Sequence, residues 1–216
     1  MIKTYQTCQK KYYFQYVENI SVPKSAIPFE KGKKIHALAN YYLQNIKIDR
    51  IETALNNTER QVWELLKQNP FYNMDYLKSE FTLSISLAPH HTPSPRGRGN
   101  NLYWVGGRLD ALVHKDENYY ILDYKTGIIP KNPEFAPQTM VYLLCADRYL
   151  KNYDSLSFVY IDLKNNKNHV IEFIPVLKTQ YEQKLYEICS QIDSDTIFKC
   201  NHESCKYCEY NKICIK

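Results

Sequence analysis

No run of about 18 apolar residues occurs in this chain, so it has no segment able to cross a bilayer as a helix. The N-terminal stretch MIKTYQTCQKK lacks the apolar core of a signal peptide, and the expectation is a cytoplasmic protein with no membrane partner. There is no internal repeat, no low-complexity tract and no P-loop. Solenoid, disordered and ATP-driven motor readings fall away with them. What remains is ordinary globular material. The 216 residues are 44% hydrophobic and 24% charged, enough to bury one core. A net charge of +5 suits a polyanionic partner and an ordinary solvated surface equally. Seven cysteines are an odd count, and in a reducing compartment their clustering points to metal or catalysis before disulfides.

Periodicity divides the chain into helices at both ends and strands between them. Residues 3–17 read as a helix rich in Tyr and Lys, and Pro23 and Pro28 then break the pattern. A second helix, Glu30 to Lys47, carries Ile35, Leu38, Ala39, Tyr42, Leu43 and Ile46 on one face, with His36 at its edge. Residues 51–68 read as a third helix. From Glu80 the period becomes two, with Phe81, Leu83, Ile85 and Leu87 facing one way. The Pro, Gly and Arg segment 89–101 reads as a mobile loop. Strands follow at 102–115 and 118–125, joined by a turn at KDEN; then come a helix at 134–150, strands at 155–163 and 168–174, and a helix at 178–192 bearing Tyr181, Leu185, Ile188 and Ile192. The expected architecture is α/β, helices around one mixed sheet.

ILDYKTG, residues 121–127, sets an acid and a lysine within an apolar strand. Strand side chains two apart share a face, so Ile121, Asp123 and Lys125 lie together, opposite Tyr120, Leu122 and Tyr124. On the preceding strand strict alternation puts Asp110 opposite the apolar face of Val105, Leu109, Ala111 and Val113. If the two strands form a hairpin around KDEN, the aspartates approach one another across the ladder. Like charges placed together are costly unless a cation joins them, and hard oxygen donors of this kind suit Mg²⁺ or Mn²⁺. A lone D-x-K is more often a surface ion pair of little energetic weight. Here an apolar strand leads into it, Thr126 and Gly127 end it, and a second Asp lies one hairpin away.

GRLDAL followed by LDYKTG resembles the core of the PD-(D/E)XK nucleases, closest to the RecB-like branch that includes CRISPR-associated adaptation nucleases and AddB-type repair nucleases. GKKIHAL places His36 where that branch carries a metal-binding histidine, and QTMVY supplies Gln138 and Tyr142 as its Q-x-x-x-Y motif. Glu80 stands where an acid often precedes the first active-site strand. The resemblance implies a restriction-endonuclease-like core, a central mixed β-sheet flanked by helices. It implies that Asp110, Asp123, His36 and a backbone carbonyl near Tyr124 bind Mg²⁺ or Mn²⁺ at a phosphodiester. Lys125 would orient or polarise water and steady transition-state charge. Gln138 and Tyr142 would support the lysine or touch the DNA backbone.

CKYCEYNKIC gives Cys205, Cys208 and Cys214 as C-x2-C-x5-C, three ligands of a site that needs four. The same branch often carries a [4Fe-4S] cluster whose first cysteine is near the N-terminus, and YQTCQKKYYFQY offers Cys8. Cys8 with residues 200–216 would then form a subregion joining the two termini of a single domain, residues 1–216. Gln9 stands where such proteins commonly have proline, and Cys200 could instead complete an all-cysteine zinc site. Cys145 and Cys189 read as small core residues.

The resemblance implies a free-standing DNA exonuclease acting on single-stranded ends, in CRISPR adaptation, recombination repair or antiviral defence, with phosphate contacts from Lys10, Lys11, Lys33 and Lys34. The rival reading is a non-catalytic DNA-binding or assembly subunit of the same fold. An electron-transfer protein is the third. Against the rivals, a domain released from catalysis has no reason to keep Asp110, Asp123 and Lys125 together.

Overall fold

The computed structural model describes residues 1–22, 27–88 and 101–214, and the side chains of these residues except 27–31 and 207. Its frame is a five-stranded mixed sheet in the order β1-β2-β3-β4-β5. The strands are β1 (Asp75–Leu87), β2 (Tyr103–Lys115), β3 (Asn118–Lys125), β4 (Ser155–Asp162) and β5 (Lys167–Glu172). All neighbours are antiparallel except β3 and β4, which run parallel with Asp123 beside Tyr160. A parallel pair needs a crossover, supplied by α6 (Pro137–Tyr149). β4, SLSFVYID, is buried along nearly its whole length, because helices cover both faces of the sheet there.

Two apolar layers hold the frame. On one face Leu112, Ile121, Phe158 and Tyr160 pack with Met140, Leu143 and Leu144 of α6 and Tyr181 and Leu185 of α7 (Pro175–Ser194). On the other, Ala111, Val113, Leu122, Tyr124 and Val159 meet Ile35, Leu38 and Ala39 of α3 (Ile27–Leu43) and Trp63 and Leu66 of α5 (Asn57–Lys67). At about 25 cal/mol per Å² of apolar surface, each large side chain in these layers contributes roughly 2 kcal/mol.

The N-terminal segment is not one helix. α1 (Ile2–Thr7) and α2 (Gln9–Tyr12) are separated by Cys8, whose backbone is extended (φ −164°), and a π turn at Tyr13–Val17 follows. α3 begins at Ile27, so Pro28 sits in its first turn, where a missing N–H costs nothing. It ends at Leu43, before Asn45 in the left-handed region (φ 56°), which leaves Ile46 exposed. Tyr42 stays half-exposed yet stacks on Tyr72. The third helix is two: α4 (Asp49–Thr53) and α5, which Asn56 starts by accepting from the Glu59 amide at 2.9 Å while Glu59 accepts from the Asn56 amide at 3.0 Å. β1 begins at Asp75, five residues before the alternating pattern, and the expected loop at 89–101 falls outside the described residues up to residue 100. No helix of the described residues is long and apolar enough to cross a membrane.

Candidate active site

The site forms where β2 and β3 part. Their pairing runs from Lys115 and Asn118 to Ala111 and Leu122 and stops there. The next facing positions are Asp110 and Asp123. In place of another backbone bond, the Asp110 carboxylate accepts the Tyr124 amide at 3.0 Å. Alternation along β2 also resets at this point, contrary to the simple expectation. Leu109 packs on the α6 side with Leu112, whereas Ala111 and Val113 pack on the α3 side. The reset faces Glu80 of β1, which lies between the pairs Ser79–Ala111 and Phe81–Leu109 and has left-handed backbone (φ 49°). Backbone of this kind in a residue other than glycine is held in place by its surroundings and clusters at functional sites.

Two knots of side chains meet there. On the α3 side, the His36 ring lies between the Asp110 carboxylate, at 3.2 Å from Nδ1, and the Tyr124 carbonyl, at 3.0 Å from Nε2. Glu80 joins this group: ligand atoms of His36, Glu80 and Asp110 all lie within 4.8 Å of one another. On the α6 side, Asp123 is 2% exposed. Gln138 donates to its Oδ1 at 2.5 Å and accepts from the Lys125 ammonium at 3.2 Å. The ammonium lies 2.6 Å from Asp123 Oδ2, an ion pair out of line for a directional hydrogen bond. Asp123 and Tyr124, adjacent in sequence, join the knots. Asp110 and Asp123 therefore lean toward opposite helices while remaining electrically close.

Electrostatics fit a cation between them. Burial raises the Asp123 pKa first and the Asp110 charge raises it further, against the pull of Lys125. Burial alone would lower His36; the Asp110 carboxylate and the charge of Asp123 outweigh it and hold His36 above its ordinary value. Both shifts mark negative charge in want of a positive partner.

Tyr142 sits differently from Gln138. Its hydroxyl donates to the Arg108 carbonyl at 2.7 Å, and its ring lies so close to Gly107 that a Cβ there would stand 2.4 Å from ring carbon Cε1. Tyr142 thus braces β2 rather than Lys125. Arg108 pairs with Glu80 at 2.6 Å, an interaction that no motif signalled. Of the lysines expected at phosphates, Lys11 and Lys34 pair with Glu209 and Glu59, Lys10 lies over the rings of Tyr13 and Phe14, and Lys33 lines the hollow beside His36.

A second cluster lies where the chain ends meet. Cys8, Cys200, Cys205, Cys208 and Cys214 line one cavity of about 360 Å³. Cys200 Sγ is 3.6 Å from Cys205 Sγ and 3.9 Å from Cys214 Sγ, and Cys200, His202 and Cys205 could share a metal ion. The Asn201 amide points at Cys8 Sγ, 3.4 Å away. Backbone bonds and Lys11–Glu209 tie the N-terminal helices to residues 199–209. Cys200, read from sequence only as an alternative ligand, is brought in with the others. Cys145 and Cys189 belong to the α6 and α7 layer, where burial pushes their thiols up to about 12 and about 11.

A profile of the PD-(D/E)XK nuclease superfamily matches residues 1–215. The chain belongs to the PD-(D/E)XK nuclease superfamily. The five-stranded mixed sheet between helices is the fold expected of such a nuclease. A solved structure described as "Putative exonuclease" from Eubacterium rectale shares the fold, with TM-score 0.52 and 10% identity, over 100% of this chain and 88% of that one. Another solved structure, SSO0001, aligns with TM-score 0.39 and 13% identity over 97% of this chain and 94% of that one. A "Putative ankyrin repeat protein" of Borreliella burgdorferi is 26% identical over 179 residues, 73% of this chain and 41% of that protein. The chain thus spans under half the length of that relative. Ankyrin repeats recur every ~33 residues as helix pairs; this chain is built on a sheet.

Superfamily nucleases generally use divalent metals, and the donors present suit one. A carboxylate oxygen is buried without an aligned partner, a second acid lies on the neighbouring strand against an imidazole, and the other nitrogen of that imidazole meets a backbone carbonyl. Those donors are Asp123, Asp110, His36 and Tyr124, with Glu80 beside them.

Proposed function

We propose that this chain is a Mg²⁺- or Mn²⁺-dependent deoxyribonuclease of the RecB-like branch, an exonuclease acting on single-stranded DNA ends. The observation that carries the reading is the meeting of the Asp123, Lys125 and Gln138 knot with the His36, Asp110 and Tyr124 knot where the β2–β3 ladder stops. Asp110, Asp123, His36 and the Tyr124 carbonyl would hold a divalent ion, which would supply acidification of water and neutralisation of phosphate charge. The protein's own groups do the rest. Gln138 fixes the Lys125 ammonium against Asp123, so its positive charge stands ready for the charge that builds on phosphate oxygens. Tyr142 and Gly107 lock the strand that carries Asp110.

The cysteine cavity supports a metal centre that clips the chain ends, a [4Fe-4S] cluster on Cys8, Cys205, Cys208 and Cys214, with zinc and Cys200 as the competing set. Iron and zinc content of the purified protein, with Cys8→Ser and Cys200→Ser side by side, assigns both metal and ligand. CRISPR adaptation, recombination repair and antiviral defence are the settings proposed for such an enzyme. The competing reading is a non-catalytic DNA-binding subunit. End-labelled single-stranded and duplex oligonucleotides incubated with Mg²⁺ or Mn²⁺ separate the two: stepwise shortening of the single strand is expected, and intact oligonucleotides under every condition would defeat the nuclease reading.

A further inference from the structure

Arg108 stands at the rim of the acid site with its main chain and its side chain both held. Its carbonyl accepts from the Tyr142 hydroxyl at 2.7 Å. Its Nε donates to the Glu80 carbonyl at 3.2 Å and lies 2.6 Å from a Glu80 carboxylate oxygen. Both Glu80 contacts use that one nitrogen. Among the described residues neither terminal nitrogen of the guanidinium has a hydrogen-bond partner, and the side chain is 64% exposed. A guanidinium fixed through Nε leaves its planar fork free to take an anion with two parallel hydrogen bonds. The seat comes from the left-handed backbone of Glu80 (φ 49°), which brings its carbonyl and its carboxylate to the same nitrogen. Such backbone generally costs more than an exposed ion pair returns, so stability alone does not account for the pair.

We propose that Arg108 grips the phosphodiester backbone of the substrate beside the metal site, and that Glu80 is its positioning residue. This rests on the nuclease reading above. Two further observations carry it. Arg108 lines the same hollow, of about 640 Å³, as His36 and Asp110, so an anion held by the fork adjoins those donors. Arg108 and Asp110 are two residues apart on β2, about 7 Å of extended chain, on the order of one nucleotide step. The phosphate at Arg108 thus neighbours the one at Asp110. Beyond Arg108, the same face of the β1–β2 ribbon is low and uncharged. Thr82 pairs with Arg108 and Ser84 with Gly106, and all three of Thr82, Ser84 and Gly106 are exposed. A Cβ at Gly106 would stand 2.5 Å from the Leu83 carbonyl, which keeps that position bare. None of the three repels a phosphate. Glu80 by itself would repel one, so its place here is explained by the arginine it holds.

The full chain without added divalent metal is titrated with a fluorescently labelled single strand about a dozen nucleotides long, and anisotropy is read over a series of salt concentrations. Arg108→Gln should weaken binding about tenfold and lower the slope of log affinity on log salt by about 0.7, one phosphate contact. Its melting temperature should match the wild type. Arg108→Lys should keep the slope and recover only part of the affinity, because it restores the charge without the fork. Glu80→Asn tolerates the left-handed backbone but is too short to seat the guanidinium. It should weaken binding about two- to tenfold, although a negative charge has gone, and should weaken Arg108→Gln no further. Unchanged affinity and slope in Arg108→Gln beside normal wild-type cleavage overturns the inference and leaves the nuclease reading standing. Tighter binding by Glu80→Asn also overturns it, since the acid then acts only as a repelling charge. The expected binding losses without cleavage under any metal keep the phosphate grip and sink the nuclease reading.

Discussion

The acid site and the cysteine cavity both gather metal-seeking atoms, and they are built in opposite ways. Every acid-site donor stands on a regular element: Asp110 on β2, Asp123 and Tyr124 on β3, His36 on α3. The two apolar layers hold those elements whether or not a cation is bound, so charge is what the site costs the fold. The cavity's cysteines other than Cys8 lie on residues 200–214, whose regular structure is one 3₁₀ turn at His202–Tyr207. There the sulfurs and a few ties to the N-terminal helices are the structure. Removing a ligand from the first region should therefore cost activity, and removing one from the second should cost order.

The largest expected effect is Asp123→Ala, with DNA cleavage down about a thousandfold or more. Its melting temperature should hold or rise, since a buried acid burdened by Asp110 has gone. A fall of several degrees in a thermal scan would break the contrast. Cys205→Ser should do the reverse, with metal lost, residues 200–214 open to limited proteolysis and the β-sheet intact. Its apparent stability should drop by about 4 kcal/mol, as for a ligand held at about a thousand times its Kd. Gly107→Ala sharpens the comparison because it reaches the acid site through packing. The Tyr142 ring must move, at about 1–3 kcal/mol of stability and, by displacing β2, about a hundredfold in rate. A chemical denaturation curve and a steady-state assay read the two parts.

The smallest effect is a pH dependence of the metal-free protein. Asp123 titrates above its ordinary 3.8 and His36 above 6.5. In both cases the folded protein holds a proton that the unfolded chain has released. Each contribution is complete below the ordinary value and is lost as pH rises through the raised one. Stability should fall as pH climbs from above 3.8, with the histidine part lost above 6.5. Melting curves across this window should flatten when Asp123 is replaced by Asn.

The parts of the fold that were legible are those where burial repeats with a clean period. β3 ends where its apolar run ends, and α6 carries Gln138 and Tyr142 four apart, facing the sheet. Asn56 and Glu59 spelled a helix start inside what reads as one helix, a cue that spacing of apolar residues alone passes over. Two features left no such trace. The first half of β1 is exposed and does not alternate, so nothing in its hydropathy marks a strand. The reset at Asp110 depends on the left-handed backbone of Glu80, a residue thirty places earlier, and no pattern within β2 announces it. Of the site, acids and lysine could be read from D-x-K. The pairing of Arg108 with Glu80 comes from a contact between separate strands, and the gathering of Cys200 with Cys205 and Cys214 from the folding of an irregular segment.

The account stands on a joint grip: acids leaning in from two sides of a parted ladder share one divalent ion. Calorimetric titration of Mn²⁺ into the wild-type protein, Asp110→Ala and Asp123→Ala tests it most directly. One tight class of sites should be present in the wild type and absent from both variants, while the cysteine-bound metal is unchanged in all three. Undiminished Mn²⁺ binding in both variants would contradict it.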